Sequence, residues 1–231
     1  MSIHYKPDIL FEDNHLIVIN KKSGDIVQGD KTGDNPLNEL LKAYLKTKYN
    51  KPGNVYLGTV HRLDRPTSGL VIFAKTSKAL TRMNKLFQTK TIQKTYWAVT
   101  EKAPKAKSGQ LVDYLLKNEK QNKSYAYNNS SKGGKQAILN YQLVGKGERY
   151  FYVEVKPLTG RHHQIRVQLS NINCIIKGDL KYGAKRPNKD GSIHLHARAI
   201  EFIHPVSKEK IEITAPVPED VIWHDFQNKV T

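Results

Sequence analysis

Val55-Tyr56-Leu57-Gly58-Thr59-Val60-His61-Arg62-Leu63-Asp64-Arg65-Pro66-Thr67-Ser68-Gly69-Leu70-Val71-Ile72-Phe73-Ala74 sets a polar segment, His61 to Gly69, between two apolar runs rich in β-branched residues. Runs of this length and composition predict buried strands, at Val55–Val60 and Leu70–Ala74. The segment between them is then a loop held by a rigid scaffold, the usual setting for reactive side chains.

The pattern extends outward on both sides. His15–Ile19 is another apolar β-branched run, bounded by Asp13-Asn14 and by Lys21-Lys22-Ser23-Gly24. Asn35-Pro36 predicts a helix start, Leu37, Leu40, Leu41, Tyr44 and Leu45 follow at helical spacing, and Lys51-Pro52-Gly53 stops them. A second helix is predicted from about Ser77, with Leu80, Met83 and Phe87 on one face and the basic residues Arg82, Lys85 and Lys90 elsewhere.

Further strands are predicted at Gln93–Thr100, Leu111–Leu116, Ala137–Val144, Tyr150–Val155, Ile193–Ala199 and Lys210–Thr214, and a short helix within Arg161–Leu169. The polar stretch from Lys117 to Gln136 predicts an exposed hairpin or loop. Alternating strands with few helices imply an α+β fold, with a mixed, largely antiparallel sheet and flanking helices. A single domain over residues 1–231 is expected, since 231 residues fit one mixed core.

Charge narrows the function. Lys and Arg number 38 against 21 Asp and Glu, a formal +17, so the expected partner is a polyanion, above all nucleic acid. One cysteine, Cys174, forms no intramolecular disulfide, which fits a reducing compartment. The first residues lack a leader pattern, and no apolar run reaches membrane-spanning length, so a cytoplasmic, unanchored protein is expected. His194 with His196, and His162 with His163, are the histidine pairs to weigh as metal ligands; no paired cysteines accompany them, and no metal is expected. Ser68, His61 and Asp64 share one short loop without nucleophile-elbow spacing, so they do not read as a triad. No phosphate-binding Gly-rich loop is present, and no organic cofactor is implied.

His61-Arg62-Leu63-Asp64 followed by Thr67-Ser68-Gly69-Leu70 and Ala74-Lys75 closely resembles the signature of the RluA-type pseudouridine synthases. Other blocks resemble that family in the same order. They are Ile9–Asp13 through Val18–Lys21, then Lys94–Val99, then Thr159–Val167, then Gly178-Asp179 with Tyr182-Gly183, and finally Leu195–Ala197 with His204-Pro205. The resemblance covers about residues 9–218. Pro66, Lys22-Ser23, His162 and Lys177 depart from the family's common residues without removing a reactive group.

The resemblance implies an isomerase that converts specific uridines of structured RNA to pseudouridine, without metal or cofactor; a monomer is the default expectation for its oligomeric state. Asp64 would be the nucleophile, whether on the base or on the sugar. Tyr96 would stack on the base and exchange a proton, and Arg166 would be the basic partner of Asp64. Arg62 would enter the RNA stack where the target nucleotide is flipped out. Ile165 would pack beside the target base, with His61, Arg161 and Gln164 completing the substrate contacts. Arg82, Lys85, Lys90, Arg161 and Arg186 are candidates for phosphate contacts.

Read by itself, Asp64 is a loop aspartate that caps a turn or pairs with Arg62 or Arg65, Tyr96 is a core aromatic, and Arg62 is a phosphate contact. The family often carries a small N-terminal S4-type RNA-binding module, for which the opening motif near residue 9 leaves no room. The alternative function is a non-catalytic RNA-binding or ribosome-assembly protein on the same fold.

Overall fold

The computed structural model describes residues 5–29, 33–130 and 133–230. Met1 to His4, on which part of the leader reading rests, and Ser131 of the polar stretch lie outside them. Along the chain come β1 (Ile9–Glu12), β2 (Leu16–Lys21), α1 (Leu37–Lys48), β3 (Gly58–Thr59), β4 (Ser68–Ala74), α2 (Ser77–Gln88), β5 (Gln93–Thr100) and β6 (Ser108–Asn118). They are followed by β7 (Lys123–Tyr127), β8 (Lys135–Lys146), β9 (Phe151–Pro157), α3 (Gln164–Asn171), β10 (Leu195–Ile203), β11 (Lys210–Thr214) and α4 (Val221–Val230). Two compact units result, one of residues 1–92 and 199–216, the other of residues 93–198 and 217–231.

In the first unit β2 and β4 pair antiparallel from Leu16↔Ala74 to Lys21↔Gly69, with β1 on the other side of β2. Every residue of β4 is buried, as its continuous apolar run predicts for a strand covered on both faces. Ile17, Ile19, Val71 and Phe73 form one core with Leu37, Leu41 and Leu45, which recur every four residues along one face of α1. The helix starts one residue later than its sequence suggests: Pro36, not Asn35, is the extended residue before it, and no side chain caps it. α2 is capped by Thr76, whose Oγ1 accepts from the Ala79 N–H at 3.1 Å. The strand expected over Val55–Val60 shrinks to Gly58–Thr59, because only those two residues pair, with Ala74 and Phe73 at the end of β4.

The second unit pairs β5, β9, β8, β6 and β7 antiparallel in that order. β5 is covered on both faces, and alternation distributes its side chains between them. Tyr96 and Ala98 face the core shared with Ile165 and Leu169 of α3, while Trp97 and Val99 face the core shared with Trp223 and Phe226 of α4. One element lies inside the stretch read as an exposed hairpin or loop, and one escaped the sequence reading. β7 is short and polar enough to pass for loop, and pairs with β6 from Tyr114↔Tyr127 to Asn118↔Lys123. α4 begins where Asp220 Oδ1 accepts the N–H groups of Ile222 (2.8 Å) and Trp223 (3.4 Å), a cap signal that stood in the sequence.

Phe226 is fully buried and stacks on Trp97 (centroids 4.4 Å) and Tyr152 (4.7 Å). Phe226→Ala is expected to lower unfolding stability by about 3–5 kcal/mol, the range for deleting a core aromatic. Urea denaturation followed by tryptophan fluorescence reads the loss.

Candidate active site

The loop from His61 to Thr67 leads into β4 and is held at several points within the first unit. Leu63 packs against the core under α1. His61 Nε2 accepts the Ile72 N–H at 3.2 Å and its ring lies tilted against Phe87, 5.2 Å between centroids. An acceptor at Nε2 places the neutral ring's proton on Nδ1. The Thr67 N–H returns to the Asp64 carbonyl at 3.0 Å, closing a tight turn around Arg65 and Pro66. Arg62 is exposed and Asp64 half-buried.

The other half of the clamp comes from the end of β2. Gly24, at φ +94, donates its N–H to the Arg65 carbonyl at 2.9 Å, and Ser23 Oγ donates to the Pro66 carbonyl at 3.2 Å. The left-handed backbone at Gly24 is strained for any side-chain-bearing residue, even with open space around its Cβ position. Arg65 pairs with Asp34. Lys21, read from the sequence as the boundary after a strand, is instead the last residue of β2 and is buried. Its ammonium donates to the carbonyls of Lys22 (2.8 Å) and Arg65 (3.1 Å).

Burial pulls the Lys21 pKa down to about 8, while the charges of Asp25 and Asp64 act in the opposite direction. Asp64 therefore sits in the field of a buried cation that also fixes the backbone of the residue following it. The sequence signal for Lys21 was a charged residue ending an otherwise apolar run.

In the second unit Tyr96 is half-buried on β5, opposite Val155, and packs against the cluster that contains Ile165. Arg166 follows on α3 and is 5% exposed. Its Nε and one Nη bind Asp179 Oδ2 and Oδ1 at 2.7 and 2.8 Å, a forked pair between two buried groups. The guanidinium also lies 5.1 Å from the Tyr182 ring centroid. Tyr182 is anchored in turn, since its hydroxyl accepts the Ser124 N–H and meets His163 Nδ1, both at 2.9 Å. Asp179 and Tyr182 stood in the family-like blocks, but their side-chain roles follow only from the fold. Two of the five guanidinium N–H bonds are used on Asp179, so the pair fixes the direction of the others.

The turn before α3 is equally constrained. His163 has φ +53, in the left-handed region. Gln164 Oε1 accepts from Thr159 Oγ1 (2.7 Å) and the Arg161 N–H (3.0 Å), and its Nε2 donates to the Ile138 carbonyl at 3.0 Å. Gln164 thus holds the turn together with its whole amide. Arg161 is exposed, with Nε on the Gln136 carbonyl at 2.9 Å. Arg82, Lys85, Lys90 and Arg186 are exposed as well.

The histidine pairs have other partners. His162 and His163 stack at 3.8 Å, and His194 meets Asn188 and Asp220 and lies over Trp223. Among the described residues no three His, Cys, Asp or Glu side chains come close enough to hold a metal.

A model of the family described as RNA pseudouridylate synthase matches residues 15–171. The ribosomal large subunit pseudouridine synthase C of Buchnera aphidicola subsp. Baizongia pistaciae is 34% identical over 224 residues, covering 94% of this chain and 69% of that protein. The tRNA pseudouridine synthase C of Pectobacterium carotovorum subsp. carotovorum is 30% identical, covering 90% of this chain and 58% of its own length. Among solved structures, human RNA pseudouridylate synthase domain containing 4 is similar with a TM-score of 0.78 and 25% identity, over 96% of this chain and 92% of that one. The chain belongs to the RNA pseudouridylate synthase family, enzymes of the isomerase class.

Two outcomes test the clamp and the ion pair. With a folded-state pKa lowered toward 8, the unfolded chain binds more protons than the folded one between about pH 8 and 10.5, so Lys21 makes stability rise with pH across that window. Replacing it by methionine removes that slope: the stability of Lys21→Met relative to the parent should fall by roughly 3 kcal/mol from pH 8 to 10.5, read by denaturant titrations at each pH. Asp179→Ala leaves the Arg166 guanidinium buried without its forked acceptor and is expected to cost about 3–5 kcal/mol, measured by urea unfolding at neutral pH.

Proposed function

We propose that this protein isomerises specific uridines in structured ribosomal or transfer RNA to pseudouridine, with the Asp64 carboxylate as nucleophile on a flipped-out nucleotide. The observation that carries this reading is the clamped loop: a half-buried carboxylate whose backbone is tied down by Lys21, Ser23 and Gly24, inside the span matched by the family model. Tyr96 and Arg166 fall within the same span. The reaction is redox-neutral and balanced. The bond from the sugar C1′ to N1 breaks, a bond from C1′ to C5 forms, the C5 hydrogen leaves as a proton and N1 gains one. A covalent carboxylate adduct divides this exchange into two displacements.

Tyr96 stacks on the target base, with Ile165 beside it; their sharing of one cluster supports that assignment. Arg166, held by Asp179, is assigned as the basic partner of Asp64. Arg62, exposed ahead of the nucleophile, takes the place left in the RNA stack, which lowers the cost of extruding the base. His61 and Gln164 serve the substrate by fixing the two segments that contact it, and Arg161, with Arg82, Lys85, Lys90 and Arg186, meets phosphates. The names of the relatives, which act on the large ribosomal subunit and on tRNA, support RNA as the partner. A monomer working in the reducing cytoplasm completes the reading, consistent with Cys174 as a buried free thiol. No helix among the described residues is long and apolar enough to cross a membrane.

Mapping pseudouridine in ribosomal and transfer RNA after incubation with the parent and with Asp64→Asn tests the proposal. The parent is expected to modify discrete uridines. The variant should be slower by on the order of a thousand-fold or more while still binding the RNA. A parent protein that binds RNA tightly and modifies none of it would leave the non-catalytic alternative standing.

A further inference from the structure

The polar stretch from Lys117 to Gln136 touches the site described above through Ser124, which anchors Tyr182, and through the Gln136 carbonyl, which accepts from Arg161; it also carries an ordered element with two unlike faces. The β6–β7 hairpin turns Leu115 and Ala126 inward, onto Val167 of α3 and Tyr182. Its other face carries the cross-strand pairs Tyr114↔Tyr127 and Leu116↔Tyr125. Strand alternation puts Val112 on that face too. On it Val112 is 48%, Leu116 38% and Tyr125 37% exposed, so the face is apolar, aromatic and uncovered within this unit. Leu116, Lys117, Asn118, Gln121, Tyr125 and Tyr127 line a shallow recess there.

The chemistry around the recess selects an occupant. Lys117, Lys120, Lys123 and Lys135 belong to the hairpin and its flanks, against Glu119, which pairs with Lys117 at 2.6 Å, as the single acidic residue from Lys117 to Lys135. Lys123 Nζ lies 5.5 Å from the Tyr125 ring centroid, and Lys181 Nζ donates to the Asn122 carbonyl at 3.0 Å, adding another cation at the hairpin's end. A second copy of the same face would bring lysines against lysines. A single-stranded polyanion satisfies both features at once, because bases stack on exposed aromatic rings while lysines track the phosphates.

We propose that the outer face of the β6–β7 hairpin is an RNA-contact surface. It stacks an unpaired base of the substrate on Tyr125 against Leu116, with Lys117 and Lys120 on the flanking phosphates. This rests on the RNA reading of the protein and adds a preference for substrates with unpaired nucleotides next to the structured target. Tyr125 and Leu116 are specificity-determining contacts here, outside the chemistry.

The test uses the full chain and a fluorescent, unstructured RNA of about ten nucleotides, within the range one such surface covers. Tyr125→Ala and Leu116→Ala alter exposed side chains and are expected to leave the thermal unfolding transition in place. Each should weaken binding in an anisotropy titration, Tyr125→Ala by on the order of ten-fold, the loss of one base stack. Tyr125→Phe, which keeps the ring, should bind like the parent. Lys117→Ala with Lys120→Ala should flatten the dependence of affinity on salt.

Parent-like affinity in both alanine variants overturns the proposal, as does loss of self-association, read by multi-angle light scattering, in place of loss of RNA binding. Pseudouridine formation by the same preparations keeps the two claims apart. A parent that forms none while Tyr125→Ala still loses affinity contradicts the isomerase reading alone. A parent that forms it while the variants bind normally contradicts the hairpin surface alone.

Discussion

The ammonium of Lys21, buried at the end of β2, holds the carbonyls of Lys22 and Arg65 and so ties the loop bearing Asp64 to the most deeply buried strand pair of its unit. A buried lysine without strong acceptors is costly, and its lowered pKa records that cost. What the arrangement supplies is rigidity. β2 and β4 cannot slip in register without repacking the cores on both of their buried faces, and Lys21 lies opposite Gly69, immediately after the loop. The position of the loop that carries Asp64, the proposed nucleophile, is thereby set by core packing, and a loop fixed in advance has less freedom to lose on meeting a substrate.

A comparable logic governs the second unit. The two-residue period of β5 sends Trp97 and Val99 to the α4 side and Tyr96 and Ala98 to the α3 side. Stacking of Phe226 between Trp97 and Tyr152 fixes the strand from one face, which sets the direction in which Tyr96 leaves it on the other. On α3, Arg166 is oriented by the forked pair with Asp179 and by the Tyr182 ring. Both side chains assigned to the chemistry are positioned by buried neighbours that do not themselves need to touch RNA.

Much of this was legible in the sequence, for physical reasons. β2, β4 and β5 are short apolar or alternating runs between turn residues, and α1 and α2 carry clear helical spacing, so local pattern and tertiary packing agree there. The Asp64 loop was visible as the polar gap before β4, and the family-like blocks named Tyr96 and Arg166. Local pattern failed where pairing decides. Val55–Val60 looks like a strand but forms ladder pairs only at Gly58 and Thr59, and the polar stretch that holds Lys123–Tyr127 reads as hairpin or loop until β6 lies beside it. The forked Arg166–Asp179 pair joins residues 13 apart through side-chain geometry, and the buried Lys21 depends on a loop 44 residues away; neither has a local signature.

Moving the glycosidic bond of uridine from N1 to C5 expels the hydrogen on C5, so release of that atom reports the proposed reaction directly. The most direct measurement is tritium appearing in water when the protein turns over ribosomal or transfer RNA labelled at uridine C5. The account requires release that stays in step with pseudouridine formed and that vanishes when Asp64 is replaced by asparagine. No release from RNA that the protein demonstrably binds, or undiminished release without the Asp64 carboxylate, would contradict it.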